Sequence, residues 1–320
     1  MITLLLVICF LIINLLAALL GYALLKHRLL KTSWVFMIAV LVCTFLLFRH
    51  EHPALLMLAI IAVTFTAMKP IPAIADYRGK PIALTLKQWL TFALAWAGMR
   101  AQPFENLDTP PLPNALPNIR FGLSRLLAGT LLIALAILLA HCIHITNISY
   151  SLISCILLIG LSFILHFGLL SISTGTLRRR GVNVGLLFKS PAKANSLSEF
   201  WGRRWNLAFS EMTSVAVFRP LKKHVGAGWA LLASFTFSGL LHEVALGLPV
   251  NSGYGLPTLY FLMQGILVLV EKRWLQNSFM LNSPLLSKIW TFCWIVLPAP
   301  LLFHTQFIKQ VVWPLTGLSF

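Results

Sequence analysis

The chain has 320 residues, 58% hydrophobic and only 10% charged, with a net charge of +17 and a mean hydropathy of +0.86. These values exclude a water-soluble globular protein, and the recurring long apolar runs predict a polytopic helical membrane protein. The basic surplus is first a topology signal, and because it is scattered over loops without a nucleic-acid-binding motif, no nucleic-acid partner is expected.

Residues 2–25 read as the first span, too long and uncharged at its start for a signal peptide, hence an uncleaved helix. Lys26, Arg28 and Lys31 then mark the cytoplasmic side. Spans at 33–48 and 54–68 form a hairpin around Arg49–Pro53, both short for a hydrocarbon core of about 30 Å. Residues 69–121 are mixed, and the segment 84–99, with Lys87 and two tryptophans, reads as a re-entrant or interfacial helix. Spans at 122–145 and 148–173 are joined by almost nothing and must be antiparallel. Further spans are expected at 229–247, 257–271 and 287–311. If eight spans alternate from an outside N-terminus, 22 of the 25 Lys and Arg fall on the inside and both termini lie outside. The five cysteines (Cys9, Cys43, Cys142, Cys155, Cys293) lie in apolar runs without metal-ligand spacing and read as small buried residues. No repeat or boundary divides the chain. The expectation is one all-α domain, residues 1–320, with about eight transmembrane helices plus re-entrant or interfacial helices.

Between the fifth and sixth spans lies Ser196–Pro220, SLSEFWGRRWNLAFSEMTSVAVFRP. Ser-Leu-Ser-Glu is a capping-box pattern, and nothing breaks a helix before Arg219-Pro220. On a continuous helix Trp201, Trp205, Phe209 and Met212 share one face, with Glu199, Arg203, Asn206, Ser210 and Thr213 along another. Such a stripe suits an interfacial amphipathic helix or the wall of a reaction chamber. His242 and Glu243 sit in the middle of the next span, about 20 Å from its cytoplasmic end. Ionisable groups at that depth point to function. A neutral imidazole is a good proton acceptor at pH 7. Ser238, four residues earlier, could fix its tautomer, and Glu243 could pair with an arginine of the preceding helix. The alternative is a histidine bonded to a helix carbonyl. Asn206 could donate to a developing oxyanion or serve as inter-helix glue. Arg203, Arg204 and the neighbouring cations suit either a polyanionic donor or anionic headgroups. His141, His144, His166 and His304 read as structural. Zinc, phosphate-loop, nucleophile-elbow and dinucleotide motifs are absent, so no metal is expected.

The stretch SLSEFWGRRWNLAF resembles the signature of the wax synthase-like branch of the membrane-bound O-acyltransferases. FSGLLHE, with His242 placed 36 residues after Asn206, resembles that family's histidine motif. Trp96-Ala97-Gly98-Met99-Arg100, GLLFKSP (185–191), YFLMQGILVLVE and LPAPLLFH are similar to its further segments, in the right order. The resemblance covers about residues 84–310, and the first spans are generic. Ala97 stands where many relatives have proline.

What the resemblance implies is a membrane-embedded chamber in which His242 is the catalytic histidine and Asn206 the signature asparagine. Glu243, Ser238 and Trp205 would support them, and Arg203, Arg204 and Trp201 would meet acyl-CoA. The expected partners are acyl-CoA as co-substrate, a lipid alcohol acceptor and membrane lipids, with no cofactor. The implied reaction is transfer of a fatty acyl group to a long-chain alcohol. A short acyl donor with a polar or sterol acceptor, or transport of a lipid or metabolite, are the alternatives. Short loops and compact length favour a bacterial inner membrane over the endoplasmic reticulum.

Overall fold

A computed structural model describes residues 2–275, Ser278 and residues 283–318, and every regular element among them is helical. Helices α1 (Ile2–Lys26), α2 (Leu30–Phe48) and α3 (Pro53–Met68) are predominantly apolar. Their backbone groups are satisfied within the helix, as a bilayer requires. Helix α3 starts with Pro53 in its first turn and the His52 ring accepting from the Ala54 N–H at 3.2 Å.

The third crossing was expected to end at residue 68, but the chain continues through Lys69 into α4 (Pro70–Asp76), giving an apolar stretch Pro53–Asp76. Lys69 is fully buried and does not interrupt the crossing because its ammonium is satisfied inside. Nζ donates to the carbonyls of Trp96, at 2.7 Å, and Gly98, and it lies 4.2 Å from the Phe92 ring centre. Helix α5 (Leu86–Ala95) has ten residues, about 15 Å of rise, too short to cross. A Thr85–Gln88 capping box starts it, and its buried Trp89 donates to the Ala18 carbonyl at 2.7 Å.

Helix α6 (Ala115–Cys142) packs antiparallel against α7 (Asn147–Ser162), a π-type turn (Phe163–Leu169) and α8 (Leu170–Arg179). The approach is close because glycines face backbone: a Cβ on Gly129 would stand 2.7 Å from the Gly160 carbonyl. The loop before α6 is pinned to the end of α8. Asp108 N–H donates to the Arg180 carbonyl and Leu112 N–H to that of Arg178. The Arg180 guanidinium and the Lys87 ammonium both reach the Asp108 carboxylate at 2.7 Å. The Lys87 and Arg180 hydrogen bonds hold that carboxyl below its ordinary range.

The expected single helix from Ser196 to Pro220 is not formed. Its place is taken by α9 (Leu197–Glu199), a π turn (Phe200–Arg204), a break, α10 (Leu207–Thr213) and a second π turn (Ser214–Phe218). At the break Trp205 is extended and Asn206 is left-handed, φ 44° and ψ 62°. Pro220 does not stop a helix but occupies the first turn of α11 (Arg219–His242), which bends where Gly226 takes φ 79° and ψ 170°. A π turn (Glu243–Gly247) and α12 (Leu248–Val250) follow. Helix α13 (Leu256–Val270) then returns along α11 and runs into the π turn Glu271–Leu275, and α14 (Pro284–Val296) completes the region.

Among the described residues seven helical stretches are long and apolar enough to cross a membrane. The expected span 257–271 is not one of them, because α13 has only 15 residues. The expected span 287–311 is present but shifted and shorter: the crossing stretch is Pro284–Leu302, made of α14 and a short helix at Ala299–Leu302. The cysteines are not buried: Cys43, Cys142, Cys155 and Cys293 are exposed and Cys9 partly so, all five as free thiols. On lipid-facing helix surfaces apolar character does not imply burial.

Candidate active site

One cavity of about 250 Å³ lies between the broken segment and the α11–α13 pair. Trp201, Trp205, Asn206, Phe209 and Ser210 line it from the first side, and Leu231, Ser234, Phe235, Ser238 and His242 from one face of α11. Asn206 and His242 therefore share a chamber, although no helical face carries Asn206 in line with Arg203 and Ser210.

The His242 ring is held by its own helix. Nδ1 lies 2.7 Å from the Ser238 backbone carbonyl, which can only accept, so Nδ1 carries the proton and Nε2 is the basic nitrogen. Nε2 has no partner among the described residues. The carbonyl of Ser238, not its hydroxyl, thus sets the tautomer, since that hydroxyl donates to the Ser234 carbonyl at 3.1 Å. Phe261 of α13 packs on the imidazole with ring centres 4.3 Å apart, and Phe209 approaches it at 6.0 Å.

Among the described residues Glu243 pairs with no arginine and makes no hydrogen bond to the imidazole. Its carboxylate accepts from the Gly255 N–H at 2.9 Å and from the Thr258 hydroxyl and N–H at 3.0 and 3.4 Å, binding the α11 end to the start of α13. A carboxylate at a helix N-terminus meets free N–H groups and the positive end of the dipole. It thereby sets where Phe261 stands against His242.

Asn206 is placed by its backbone. The side-chain Oδ1 accepts from the Phe209 N–H at 3.3 Å, capping α10, so the Nδ2 donors have no partner among the described residues. The segment 187–189 holds the break open: Leu207 N–H donates to the Leu187 carbonyl at 3.0 Å and Lys189 N–H to that of Arg204 at 2.8 Å. Trp205 stacks on Phe200 with centres 5.4 Å apart and meets Phe188 edge-on at 4.9 Å. His166, read as structural, lies behind it at 5.7 Å. Four of the six hydroxyls on the cavity wall (Ser210, Thr213, Ser234, Ser238) donate to backbone carbonyls. They present oxygen lone pairs to the chamber rather than free donors.

The cations expected on a donor divide. Arg204 is bound to Glu199 at 2.6 Å and donates to the Lys189 and Ser190 carbonyls, so it braces the π turn. Burial pushes the Glu199 carboxyl up, but the Asn195 N–H and Arg204 outweigh it and hold it below the ordinary range. Arg203 is exposed and does not line the cavity. Arg178 donates to the Pro113 and Val184 carbonyls.

Three polar residues that sequence reasoning missed hold the chamber's frame. Gln264 is fully buried, accepting from the Trp201 ring N–H at 3.1 Å and donating to the Trp294 carbonyl at 2.6 Å. The buried carboxylate of Glu271 accepts from the Leu197 and Ser198 N–H groups at 2.7 and 3.1 Å, capping α9. Glu211 takes the Met99 N–H and the Arg100 guanidinium, tying α10 to the turn that Lys69 clamps. Gln264 and Glu271 had a signal: two polar residues seven apart, on one helix face, in an apolar run.

The membrane bound O-acyl transferase family matches residues 184–263, the stretch that builds both chamber walls. The chain is 27% identical over 249 residues to a probable long-chain-alcohol O-fatty-acyltransferase 9 from Arabidopsis thaliana, covering 72% of this chain and 68% of the relative. It is 30% identical over 128 residues to a probable long-chain-alcohol O-fatty-acyltransferase 8 from the same plant, 37% of this chain and 38% of that one. Identity is 40% over 72 residues, 20% of each chain, with a long-chain-alcohol O-fatty-acyltransferase from Simmondsia chinensis.

Proposed function

We propose that the chain is a membrane-bound O-acyltransferase that transfers a fatty acyl group from acyl-CoA to the hydroxyl of a long-chain alcohol inside the bilayer, a reading supported by the family match over residues 184–263 and by the similarity to plant long-chain-alcohol O-fatty-acyltransferases. The observation that carries this reading is that one chamber holds the free Nε2 of His242 on its α11 side and the open amide donors of Asn206 on the side of the broken segment. Nε2 takes the alcohol proton as the oxygen attacks the thioester carbonyl. Asn206 donates to the oxygen that becomes negative. The C–S bond then breaks, and the proton passes from Nε2 to the departing sulfur, leaving ester and thiol. The thioester supplies the driving force, the protein supplies proximity and a dry chamber, and no cofactor or covalent acyl-enzyme takes part. Glu243 acts at one remove, by positioning α13.

The protein is a multi-pass integral membrane protein. A bacterial inner membrane gains no support from the relatives, which are plant proteins, and an endoplasmic-reticulum membrane accommodates the same chemistry.

The test uses purified protein in lipid nanodiscs with labelled palmitoyl-CoA and, separately, hexadecanol, a sterol, diacylglycerol or no acceptor. Wax ester formed by the natural protein and lost in His242→Ala, with an unchanged thermal melt, is the expected result. Undiminished ester synthesis by His242→Ala would overturn the mechanism.

A further inference from the structure

Among the described residues the chamber wall carries a single Lys or Arg, Lys272; every other described lining side chain is apolar, hydroxyl, amide or imidazole. Its position follows from helix geometry. Phe261, packed on the His242 ring, is followed on the same cavity-lining face by Val268 and Lys272. Eleven residues are close to three full turns, so Lys272 lies about 16 Å along the axis from Phe261. Lys272 itself is exposed, while its neighbour Glu271 is fixed by the Leu197 and Ser198 N–H groups, which anchors the π turn bearing the lysine. The chamber thus runs from a basic nitrogen to a lysine borne on an anchored turn, with apolar and hydroxyl-lined wall between. The arginines once expected on the donor are engaged elsewhere or stand off the cavity.

That spacing matches an extended pantetheine arm between a thioester and its phosphate. We propose that Lys272 binds the phosphate of a phosphopantetheine thioester, so that the acyl-4′-phosphopantetheine unit, not the adenosine end of coenzyme A, is what the chamber recognises. The assignment rests on the acyltransferase reading. Coenzyme A and an acyl carrier protein both present this unit.

The test compares palmitoyl-CoA, palmitoyl-4′-phosphopantetheine, palmitoyl-pantetheine and palmitoyl-acyl carrier protein as donors to hexadecanol. For the natural protein the two small phosphorylated donors share a similar KM, and loss of the phosphate raises KM about tenfold, the size of one charge-assisted contact. Lys272→Met raises KM about tenfold for the phosphorylated donors with kcat little changed, and leaves palmitoyl-pantetheine unaffected. Lys272→Arg restores most of the difference. Use of the carrier-protein donor with the same Lys272 dependence supports the phosphate as determinant and names a second source. Its rejection beside the same dependence on palmitoyl-CoA supports it with coenzyme A as the source. Turnover in which Lys272→Met shifts all donors alike, or none, overturns this assignment alone. Absence of ester from every donor in the natural protein would overturn the acyltransferase reading and this assignment with it.

Discussion

The Asn206 side chain caps the Phe209 N–H through its oxygen while its backbone sits at φ 44°, so the residue is constrained twice before any chemistry begins. Aspartate keeps the capping oxygen and tolerates the left-handed region, but lacks the two amide donors. Asn206→Asp is therefore expected to melt as the natural protein does while kcat falls by about 10²–10³, the usual cost of one oxyanion donor. Asn206→Ala loses the cap as well and adds about 1 kcal/mol of destabilisation. Thermal melts beside steady-state kinetics separate the two. At Glu199 the folded-state pKa lies below its ordinary value. Its contribution is complete above the unfolded value of about 4.3 and is lost as pH falls through the lowered folded value. Glu199→Gln is expected to flatten the melting temperature on the acid side, below about pH 4, and to leave its pH dependence near neutrality unchanged. An acid limb identical to that of the natural protein would contradict the role given to the Arg204 brace.

At the scale of elements, the chamber depends on helix ends joined by the buried Glu271, the half-buried Glu243 and Glu211, and one carboxamide. Glu243→Ala leaves the Gly255 and Thr258 donors unanswered, costing about 1–3 kcal/mol each where burial is complete. It also frees α13 to shift under the imidazole. The expected result is a lower melting temperature together with reduced kcat, whereas Glu243→Gln, which still accepts through one oxygen, falls between. Part of the chamber was legible in the sequence, since His242, Asn206, Ser238, Trp201 and Trp205 line it while Arg203, Arg204 and Glu243 do not, and the reasons for several of the five were not. The pattern from Ser196 to Pro220 is compatible with a continuous helix. Its break at Trp205 and Asn206 depends on backbone partners at Leu187 and Lys189, some twenty residues upstream, which no local periodicity encodes. Backbone carbonyls leave no mark in the sequence either, so the Ser238 side chain was credited with what its main chain does. The expected third span stops short of Lys69 because a buried lysine is recognisable only once the Trp96 and Gly98 carbonyls are seen to surround it.

At the scale of the whole molecule, the α6–α8 hairpin is a scaffold that supplies no chamber residue and packs through glycine against backbone. Gly129→Val places side-chain carbon where the Gly160 carbonyl approaches to 2.7 Å, so the hairpin must spread. The expected outcome is a lower melting temperature and poorer recovery from detergent, with kcat per folded molecule close to that of the natural protein. Loss of turnover without loss of stability would show that the hairpin communicates with the chamber. The fixed tautomer of His242 has a kinetic corollary. With Nδ1 bound to its own helix, Nε2 alone takes the proton from the alcohol and gives it to the departing sulfur, and because the alcohol attacks the thioester directly, with no acyl-enzyme between, both substrates must be present together around Nε2. Initial-rate plots for the two substrates should therefore intersect as for a ternary complex, and thiol should not exchange into the thioester in the absence of alcohol.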